Sequence, residues 1–333
     1  MNPSCGVGLL SRCYVKHWQK FLICMLIVLS GPIGAQEYPN RPVRIFGHGP
    51  GSTADYLSRI IAQKLSEKWG QPVIVDSRTG AGGTVPADIV AKAPADGYSL
   101  LMGHAGPMVS SVVLYPNLPY DPVKDLVGVS MVATGVTVMM VHPSIQANTV
   151  AEFIQYAKKR NDLNFSSAGN GTISHITGEL FKQVTGVNMM HIPYKSAGAG
   201  LTALLANETQ VSFLSPVTAA AQLKTGKLKA LVVSTSDRFP SLPEVPSASE
   251  AGLSGMDAKL WFGLFTAAKT PKAVIQKLNQ DITDILRRPD VKELFLKQGI
   301  QASPSTPESL EDFVQTEIKR WTPIIKNANI QAD

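Results

Sequence analysis

Cysteine is missing from most of this sequence of 333 residues. Its three cysteines, Cys5, Cys13 and Cys24, all lie within the first 35 residues. If that segment is removed, the remaining chain has no disulfide, no thiol nucleophile and no cysteine-based metal site. A chain of about 300 residues buries enough surface to fold without disulfides. The absence therefore excludes thiol chemistry and leaves a stable core possible.

A strong charge imbalance and further long apolar runs are also missing. The formal net charge is +6, and three cations lie in the first 35 residues, which leaves +3 for residues 36–333. That mild excess forms no basic run, so we expect no nucleic-acid partner. No segment after residue 35 approaches the roughly 20 residues that a membrane span requires. The sequence predicts one large or two medium globular domains.

Motifs for nucleotide, metal and hydrolytic chemistry are absent as well. GHGPGS (47–52) places Ser52 where the fingerprint G-x-G-x-x-G needs its third glycine, and no G-x-x-x-x-G-K-[ST] loop occurs. The histidines after residue 35 (48, 104, 142, 175 and 191) show no metal-binding spacing. No G-x-S-x-G elbow or glycosidase-type carboxylate pair is evident. We therefore predict a binding protein with no cofactor, no metal and no catalytic residues.

The first 35 residues have the composition of a secretory signal peptide. Arg12, Lys16 and Lys20 precede the apolar run FLICMLIVL (21–29), and small residues lead to Ala35. The run is too short to span a bilayer. We expect residues 1–35 to be a signal peptide cleaved after Ala35, and the rest to be exported. An N-terminal anchor that is retained is the alternative.

Short apolar strands alternate with amphipathic helices along the chain. PVRIF (42–46), PVIVDSR (72–78) and YSLLMG (98–103) predict strands, separated by helices predicted over 54–69 and 86–93. This order implies parallel strands with right-handed crossovers. It recurs in the second half of the chain, with strands predicted over 163–168, 189–194, 210–215 and 229–235, and helices over 150–160, 173–186 and 201–208.

The last third of the chain is predicted to be mainly helical, over 270–288 and 306–321, after a strand WFGLFTAA (261–268) that returns to the first half. We therefore predict an α/β fold with two lobes. Lobe 1 comprises residues 36–137 and 259–333, and lobe 2 comprises residues 138–258. Two lobes joined by crossing strands place a ligand cleft between them.

Four loops share one design, in which a strand end is followed by small residues and a helix start. They are GHGPGST (47–53), TGAGGT (79–84), SSAGNGT (166–172) and KSAGAG (195–200). In a parallel sheet such loops gather at one edge, and free N–H groups at a helix N-terminus bind anions. Two such loops in each lobe would suit a small ligand with carboxylates at both ends. The same residues also form ordinary caps and turns.

Three further side chains have two interpretations each. Asp55 either serves the site, by orienting Ser52 or Thr53 or by receiving a ligand amine, or only stabilises the first turn of its helix. His175 either reaches the cleft or packs and caps within its lobe. Lys195 either pairs with a ligand carboxylate or is solvated.

The chain resembles the Bug receptors, the periplasmic solute-binding proteins of tripartite tricarboxylate transporters in Gram-negative bacteria. The resemblance covers residues 38–333. It depends on the order and spacing of stretches such as YPNRPVRI, LSEKWGQPVIVDSRTGAGG, AKAPADGYSLLMG, LPYDPVKDL, SSAGNGTISHITGELFK, HIPYKSAGAGLTALL, TGKLKALVVST, PEVPSASEAGL and WFGLFTAAKTP.

This resemblance implies a two-lobed periplasmic binding protein (Venus-flytrap) fold, with a carboxylate ligand held in the cleft by amides, hydroxyls and water. It also implies a monomer that delivers a dicarboxylate, tricarboxylate, acidic amino acid or aromatic acid to membrane permease subunits. His48 departs from the family pattern, which is usually apolar, Pro or Ala there. The candidate ligand-binding residues are Gly49, Pro50, Gly51, Ser52, Thr53, Asp55, His104, Ser167, Gly169, Asn170, Gly171, Thr172, His175, Lys195 and Ser196.

Two other functions remain open at this point. A receptor that reports its ligand to a sensor kinase would have the same sequence features as one that serves a permease. An exported hydrolase with an unrecognised Ser–His site would depend on Ser167 or Ser174.

Overall fold

The fold is taken from a computed structural model that describes residues 38–50, 52–78, 80–297 and 299–330. The predicted signal peptide (1–35) and Gly51 lie outside the described residues. The described chain from Arg41 onward forms one compact unit. Within it, no helix combines the length and the apolar composition needed to cross a membrane.

Strands and helices alternate along most of this unit. The strands are β1 (Val43–His48), β2 (Val73–Arg78), β3 (Ser99–His104), β4 (Leu126–Val136), β5 (Val138–Val141), β6 (Asn164–Ser167), β7 (Met190–Pro193), β8 (Val211–Leu214), β9 (Lys229–Val233), β10 (Lys259–Ala267) and β11 (Ile300–Ala302). The α-helices are α1 (Thr53–Trp69), α2 (Thr84–Ala91), α3 (Ser111–Leu114), α4 (Val150–Ala157), α5 (Ile173–Thr185), α6 (Ala197–Leu205), α7 (Pro216–Lys224), α8 (Lys272–Arg287), α9 (Pro289–Lys297) and α10 (Pro307–Asn327).

The first sheet has the strand order β11-β4-β10-β3-β1-β2. Strand β1 pairs in parallel with β2 and with β3, as the strand–helix alternation predicts. Strand β10 runs antiparallel between β3 and β4. Val43 and Ile45, alternate residues on one face of β1, are fully buried, whereas Arg44 between them is exposed. Helix α1 connects β1 to β2 and ends at Gly70, whose φ of 63° favours glycine.

The second sheet has the order β7-β6-β8-β5-β9. Strand β6 is parallel to β7 and β8, whereas β5 is antiparallel to β8 and β9. Helix α5 follows β6 and ends at Gly186 in the left-handed conformation, with φ of 69°. The sequence predicted this stop, as it predicted the one at Gly70.

Each sheet forms the centre of one lobe, and the chain passes between the sheets twice. It crosses at Thr137, between β4 and β5, and returns between β9 and β10. Ser234 links the two crossings: its Oγ accepts a hydrogen bond from the Thr137 N–H at 3.1 Å and donates to the Ala258 carbonyl at 2.7 Å. The lobe boundaries themselves, at 137/138 and 258/259, stay a prediction.

Some elements were not predicted from the sequence. Strands β4, β5 and β11 and helices α3, α7 and α9 are additional to those expected. Helix α2 begins at Thr84 and ends at Ala91, two residues earlier at each end than predicted. Helix α10 continues to Asn327, beyond the predicted end at residue 321, although Pro323 lies inside it.

Candidate functional site

A cavity lies between the two sheets, where loops of both lobes meet. Its volume of about 90 Å³ exceeds the space that one water molecule needs and is smaller than a drug-sized pocket, so it suits a small ligand. Its lining residues are His48, Ser52, Thr53, Ala54, His104, Ala105, Thr137, Ala168, Thr172, Ile173, Ser174, Ala197, Phe213, Leu214, Ser215, Thr218, Leu260, Trp261 and Phe262.

Helix starts from both lobes contribute to this lining. Helix α1 provides Thr53 and Ala54, helix α5 provides Ile173 and Ser174, and helix α7 begins immediately after its N-cap, Ser215. The first N–H groups of a helix have no partner within the helix, and the macrodipole adds about half a positive charge at each N-terminus. Together the three helix starts provide a positive potential without any cationic side chain.

Hydroxyl groups connect the two lobes at the cavity. Thr53 Oγ1 of the first lobe lies 3.3 Å from Ser215 Oγ of the second, and Ser215 Oγ lies 3.2 Å from Thr218 Oγ1. Hydroxyls both donate and accept and can rotate toward a ligand. These three side chains therefore form an adaptable polar wall where the lobes touch.

The predicted loop 166–172 is held in shape by its own hydroxyls. Thr172 Oγ1 donates to the Gly169 carbonyl at 2.7 Å and lies 3.0 Å from Ser174 Oγ, which accepts from the Ala168 N–H at 3.0 Å. Thr172 and Ser174 line the cavity, yet both side chains are committed to the loop. Their hydroxyls hold the turn that precedes α5, and the Thr172 side chain makes no capping hydrogen bond to that helix.

Two neutral imidazoles lie at the strand ends of the first lobe. His48 ends β1 and His104 ends β3, and their ring centroids are 5.5 Å apart in an edge arrangement. Burial, and secondarily the nearby His48, lower the pKa of His104 to about 3. Burial also lowers the pKa of His48 below its ordinary value of 6.5. Both rings are therefore uncharged near pH 7.

Four lining side chains contain a buried polar atom that has no hydrogen-bond partner among the described residues. These atoms are His48 Nδ1, His104 Nε2, Thr137 Oγ1 and Trp261 Nε1. A buried polar group without a partner is rare and costs about 1–3 kcal/mol. No Lys, Arg, Asp or Glu occurs among the described lining residues. The cavity therefore offers hydrogen bonds and helix dipoles, and no formal charge.

Four predicted site residues line the cavity: Ser52, Thr53, His104 and Thr172. Asp55 does not. Its carboxylate accepts from Ser77 Oγ at 2.5 Å and pairs with Arg59 at 3.1 Å. The acid is therefore engaged by partners within its own lobe and helix.

Ser167 and His175 form part of a buried cluster behind the cavity. Ser167 Oγ lies 2.6 Å from His191 Nε2, and the rings of His191 and His175 stack at 3.5 Å. His175 Nδ1 accepts from the Gly171 N–H at 3.2 Å. Ser167 has no exposed surface, so this Ser–His contact lacks the access that a nucleophile needs.

The other predicted residues shape loops or lie at the surface. Gly49 accepts the Ser52 N–H at 3.2 Å in a turn. Lys195 and Ser196 are exposed, and Ser196 caps α6 by accepting the Ala199 N–H at 3.2 Å. The remaining ones, which do not line the cavity, are Pro50, Gly169, Asn170 and Gly171. A ligand role for all of these stays a prediction.

The predicted loop 79–84 supports a ring at the cavity. No described residue of this loop is in the lining. A Cβ on Gly83 would lie only 3.0 Å from His104 Nε2, and Gly83 has a φ of 99°. Only glycine therefore fits beneath the imidazole at this position.

The sequence did not predict the apolar residues that line the cavity, or Ser215 at the start of α7. Phe213, Leu214, Leu260 and Phe262 come from strands, and nothing in their local sequence marks them as ligand contacts. Ser215 had a usable signal, because serine followed by proline is typical of an N-cap with proline at the first helical position. In the described chain, no group of His, Cys, Asp or Glu has the arrangement of a metal site.

Comparisons with known proteins agree with this architecture. The family described as tripartite tricarboxylate transporter family receptor (TctC) matches residues 57–330. The protein BugT of Bordetella pertussis is 32% identical over 301 residues, which cover 90% of this chain and 92% of BugT. Solved structures of two-lobed periplasmic binding proteins are also similar to this chain over most of its length, and two examples follow.

The first is an R. palustris protein solved with adipate, with a TM-score of 0.84 and 30% identity over 89% of this chain and 99% of that one. The second is MatC from Rhodopseudomonas palustris with bound malate, with a TM-score of 0.80 and 31% identity over 86% of this chain and 100% of that one.

Proposed function

Because the chain belongs to the tripartite tricarboxylate transporter receptor family, we propose that it captures a small carboxylate-bearing organic anion in its cleft and delivers it to a membrane permease. Receptors of this family bind solutes and are not enzymes, and their periplasmic relatives imply a periplasmic location. Under this proposal residues 1–35 direct export, and closure brings lobe 1 (36–137 and 259–333) against lobe 2 (138–258).

One observation carries the proposal: the starts of α1, α5 and α7 converge on a cavity that no charged described side chain lines. The partial positive charge at each helix N-terminus attracts an anion and repels a cation. The adipate and malate in the two similar structures support a carboxylate as the anion.

Substitutions at Ser215 test the role of the helix start. Asp and Asn both cap helices about as well as Ser, so Ser215→Asp and Ser215→Asn differ mainly by one negative charge at the cavity. Like charges about 5 Å apart repel by about 3 kcal/mol at an effective dielectric of about 20. Ser215→Asp should therefore weaken binding of a carboxylate about 100-fold relative to Ser215→Asn.

The measurement is isothermal titration calorimetry with protein freed of bound ligand by unfolding and refolding. The panel contains linear dicarboxylates, malate, citrate, glutamate and aromatic acids, with neutral sugars as controls. If no acid binds, or if Ser215→Asp and Ser215→Asn bind an acid equally, the proposed anion site is wrong.

Delivery to a permease needs a test in cells. Uptake of the labelled acid should be lost when the gene is deleted and restored by the wild-type chain but not by Ser215→Asp. Unchanged uptake, together with a changed transcriptional response to the acid, would instead indicate that the receptor serves a sensor kinase. N-terminal sequencing of the periplasmic protein tests cleavage after Ala35.

A further inference from the structure

Two histidines of the second lobe stack on each other behind the cavity. His191 of β7 is the register partner of Phe165 of β6, and the centroids of their rings are 4.8 Å apart. His175 of α5 stacks on His191, with 3.5 Å between the ring centroids and 12° between the ring planes. Gly178 allows α5 to approach the sheet here, because a Cβ on it would lie 2.3 Å from the Phe165 ring. The two imidazoles are therefore a fixed pair between the second sheet and α5.

The loop that follows β6 is bonded to both members of this pair. His175 Nδ1 accepts from the Gly171 N–H at 3.2 Å. His191 Nε2 lies 2.6 Å from Ser167 Oγ, and the same hydroxyl accepts from the Gly169 N–H at 3.1 Å. The pair thus holds two amides of the loop, one directly and one through Ser167.

The bond to Gly171 requires a neutral His175. A ring nitrogen that accepts a hydrogen bond carries no proton, so the proton of His175 is on Nε2, which lies 4.0 Å from Glu179 Oε1. The Glu179 carboxylate is itself paired with Lys182 at 2.9 Å. Burial, then the nearby His191 and Lys182, lower the pKa of His175 far below its ordinary value of 6.5. His175 Nδ1 is therefore a hydrogen-bond acceptor near pH 7.

The loop held by this pair contributes to the cavity and also contacts the first lobe. Ala168 and Thr172 line the cavity. Between them, Gly171 has a φ of 70°, and a Cβ on it would lie 2.4 Å from Leu114 Cδ1 of helix α3. The shape of this loop therefore determines both the wall of the cavity and the fit of one lobe against the other.

We propose that His175 and His191 are positioning residues for ligand capture, which hold the loop after β6 in the shape that binds the ligand and packs on the first lobe. Neither histidine lines the cavity, so both act through the loop. The inference rests on the proposed function, since it names the groups that preorganise one of its binding loops. A loop that has the competent shape for only a fraction of the time raises the apparent Kd by the reciprocal of that fraction.

Two substitutions of His175 separate the acceptor from the ring. His175→Asn and His175→Leu both remove the stacked ring and leave side chains of similar shape, but only Asn can accept the Gly171 N–H. Isothermal titration calorimetry uses adipate and malate, the acids in the two similar structures. The Kd should stay within about 3-fold of wild type in His175→Asn and rise about 10-fold in His175→Leu, where the competent fraction falls to about one tenth. A ring that only supports the fold would weaken binding equally in both variants, and equal Kd values would overturn the role of His175.

Ser167→Ala tests the other member of the pair. It removes the hydroxyl that joins His191 to the Gly169 N–H, and it should raise the Kd for the same acids about 3- to 10-fold. Thr185→Val is the control, because the Thr185 hydroxyl donates to the Phe181 carbonyl in the last turns of α5 and does not line the cavity. If Ser167→Ala binds as tightly as Thr185→Val, the role of His191 is wrong.

Hydrogen exchange measured by NMR tests the positioning without any ligand. The Gly171 amide should be protected in the wild type and in His175→Asn and should exchange at least about 10-fold faster in His175→Leu, while amides in the middle of α5 keep their rates. Equal exchange of the Gly171 amide in the two variants would overturn the proposal. If His175→Leu does not fold, exchange of the Gly169 amide in Ser167→Ala gives the independent result. If exchange responds as expected but no acid of the panel binds the wild type, the receptor proposal is wrong and the positioning of the loop is supported.

Discussion

Gly299 and Pro216 pack closely together where the two lobes meet. Gly299 precedes β11 in the first lobe, and Pro216 is the first residue of α7 in the second. A Cβ on Gly299 would lie 2.4 Å from Pro216 Cβ and 2.9 Å from its Cγ. Proline cannot rotate away, so in Gly299→Ala either the lobes separate at this point or the backbone shifts.

Gly226→Ala is a matched control for the backbone strain of that change. Gly299 has a φ of 70° and Gly226 a φ of 69°, but nothing lies within 4 Å of a Cβ on Gly226. Both alanines cost about 1–2 kcal/mol for the left-handed conformation. Only Gly299→Ala also overpacks against Pro216, which costs about 1–3 kcal/mol. Separation of the lobes at this point would remove that cost.

Ligand affinity should therefore separate the two variants. Under the proposed capture by closure, the ligand binds the closed form, so Gly299→Ala should raise its Kd about 5- to 150-fold, whereas Gly226→Ala should leave it unchanged. Calorimetry measures the affinity. In the presence of ligand, small-angle scattering should show a larger radius of gyration for Gly299→Ala than for Gly226→Ala. Equal Kd values for the two variants would refute the role of this contact in closure.

Two further predictions concern stability. A Cβ on Gly178 would lie 2.3 Å from the ring of Phe165, so Gly178→Ala should lower the free energy of unfolding by about 1–3 kcal/mol. A Cβ on Gly198 would have no atom nearer than 3.9 Å, so Gly198→Ala should raise the free energy of unfolding by about 0.5–1 kcal/mol. Chemical denaturation measures both values, and equal stabilities for the two variants would contradict this prediction. Burial, and secondarily Lys182, lower the pKa of His191 to about 4 from 6.5. The unfolded chain binds this proton more readily than the folded protein, so the stability due to neutral His191 is lost as pH falls from about 6.5 to 4. In His191→Phe, the free energy of unfolding should therefore fall less steeply with decreasing pH over that range, by at most about 1.4 kcal/mol per pH unit. If the free energies of unfolding of the wild type and of His191→Phe change equally with pH, His191 is not a buried neutral group.

Local sequence signals predicted the helices and strands well where one short stretch carries the whole signal. Gly70 and Gly186 end helices in the left-handed conformation, as their positions after apolar periodic runs predicted. Ser52 accepts the Asp55 N–H at the start of α1, which is the role expected of a serine before a helix. Strand β4 was harder to predict, because Gly128 and Gly135 interrupt its apolar residues and each packs against another part of the lobe.

The site was less predictable, because its members meet only in three dimensions. Thr137 and Trp261 line one cavity although they are far apart in the chain and lie in ordinary strand sequence. Asp55 and His175 looked available in sequence, yet Ser77 and the Gly171 N–H engage them inside their own lobes. A one-dimensional pattern shows which side chains can bind a ligand and does not show which have already found a partner.

The central position of β10 has a consequence for the order in which the chain folds. Strands β3 and β4 are synthesised early, but Lys259–Ala267 must enter between them before either has its hydrogen bonds on that side. The strands of the second sheet, by contrast, all lie between Val138 and Val233, so that sheet can form before the first one closes. A chain that ends before Lys259 leaves β3 with one unpaired edge and β4 without a neighbour in this sheet, because the strands on either side of β4 are β10 and β11. Completion of the first sheet therefore has to wait until both β10 and β11 have been synthesised.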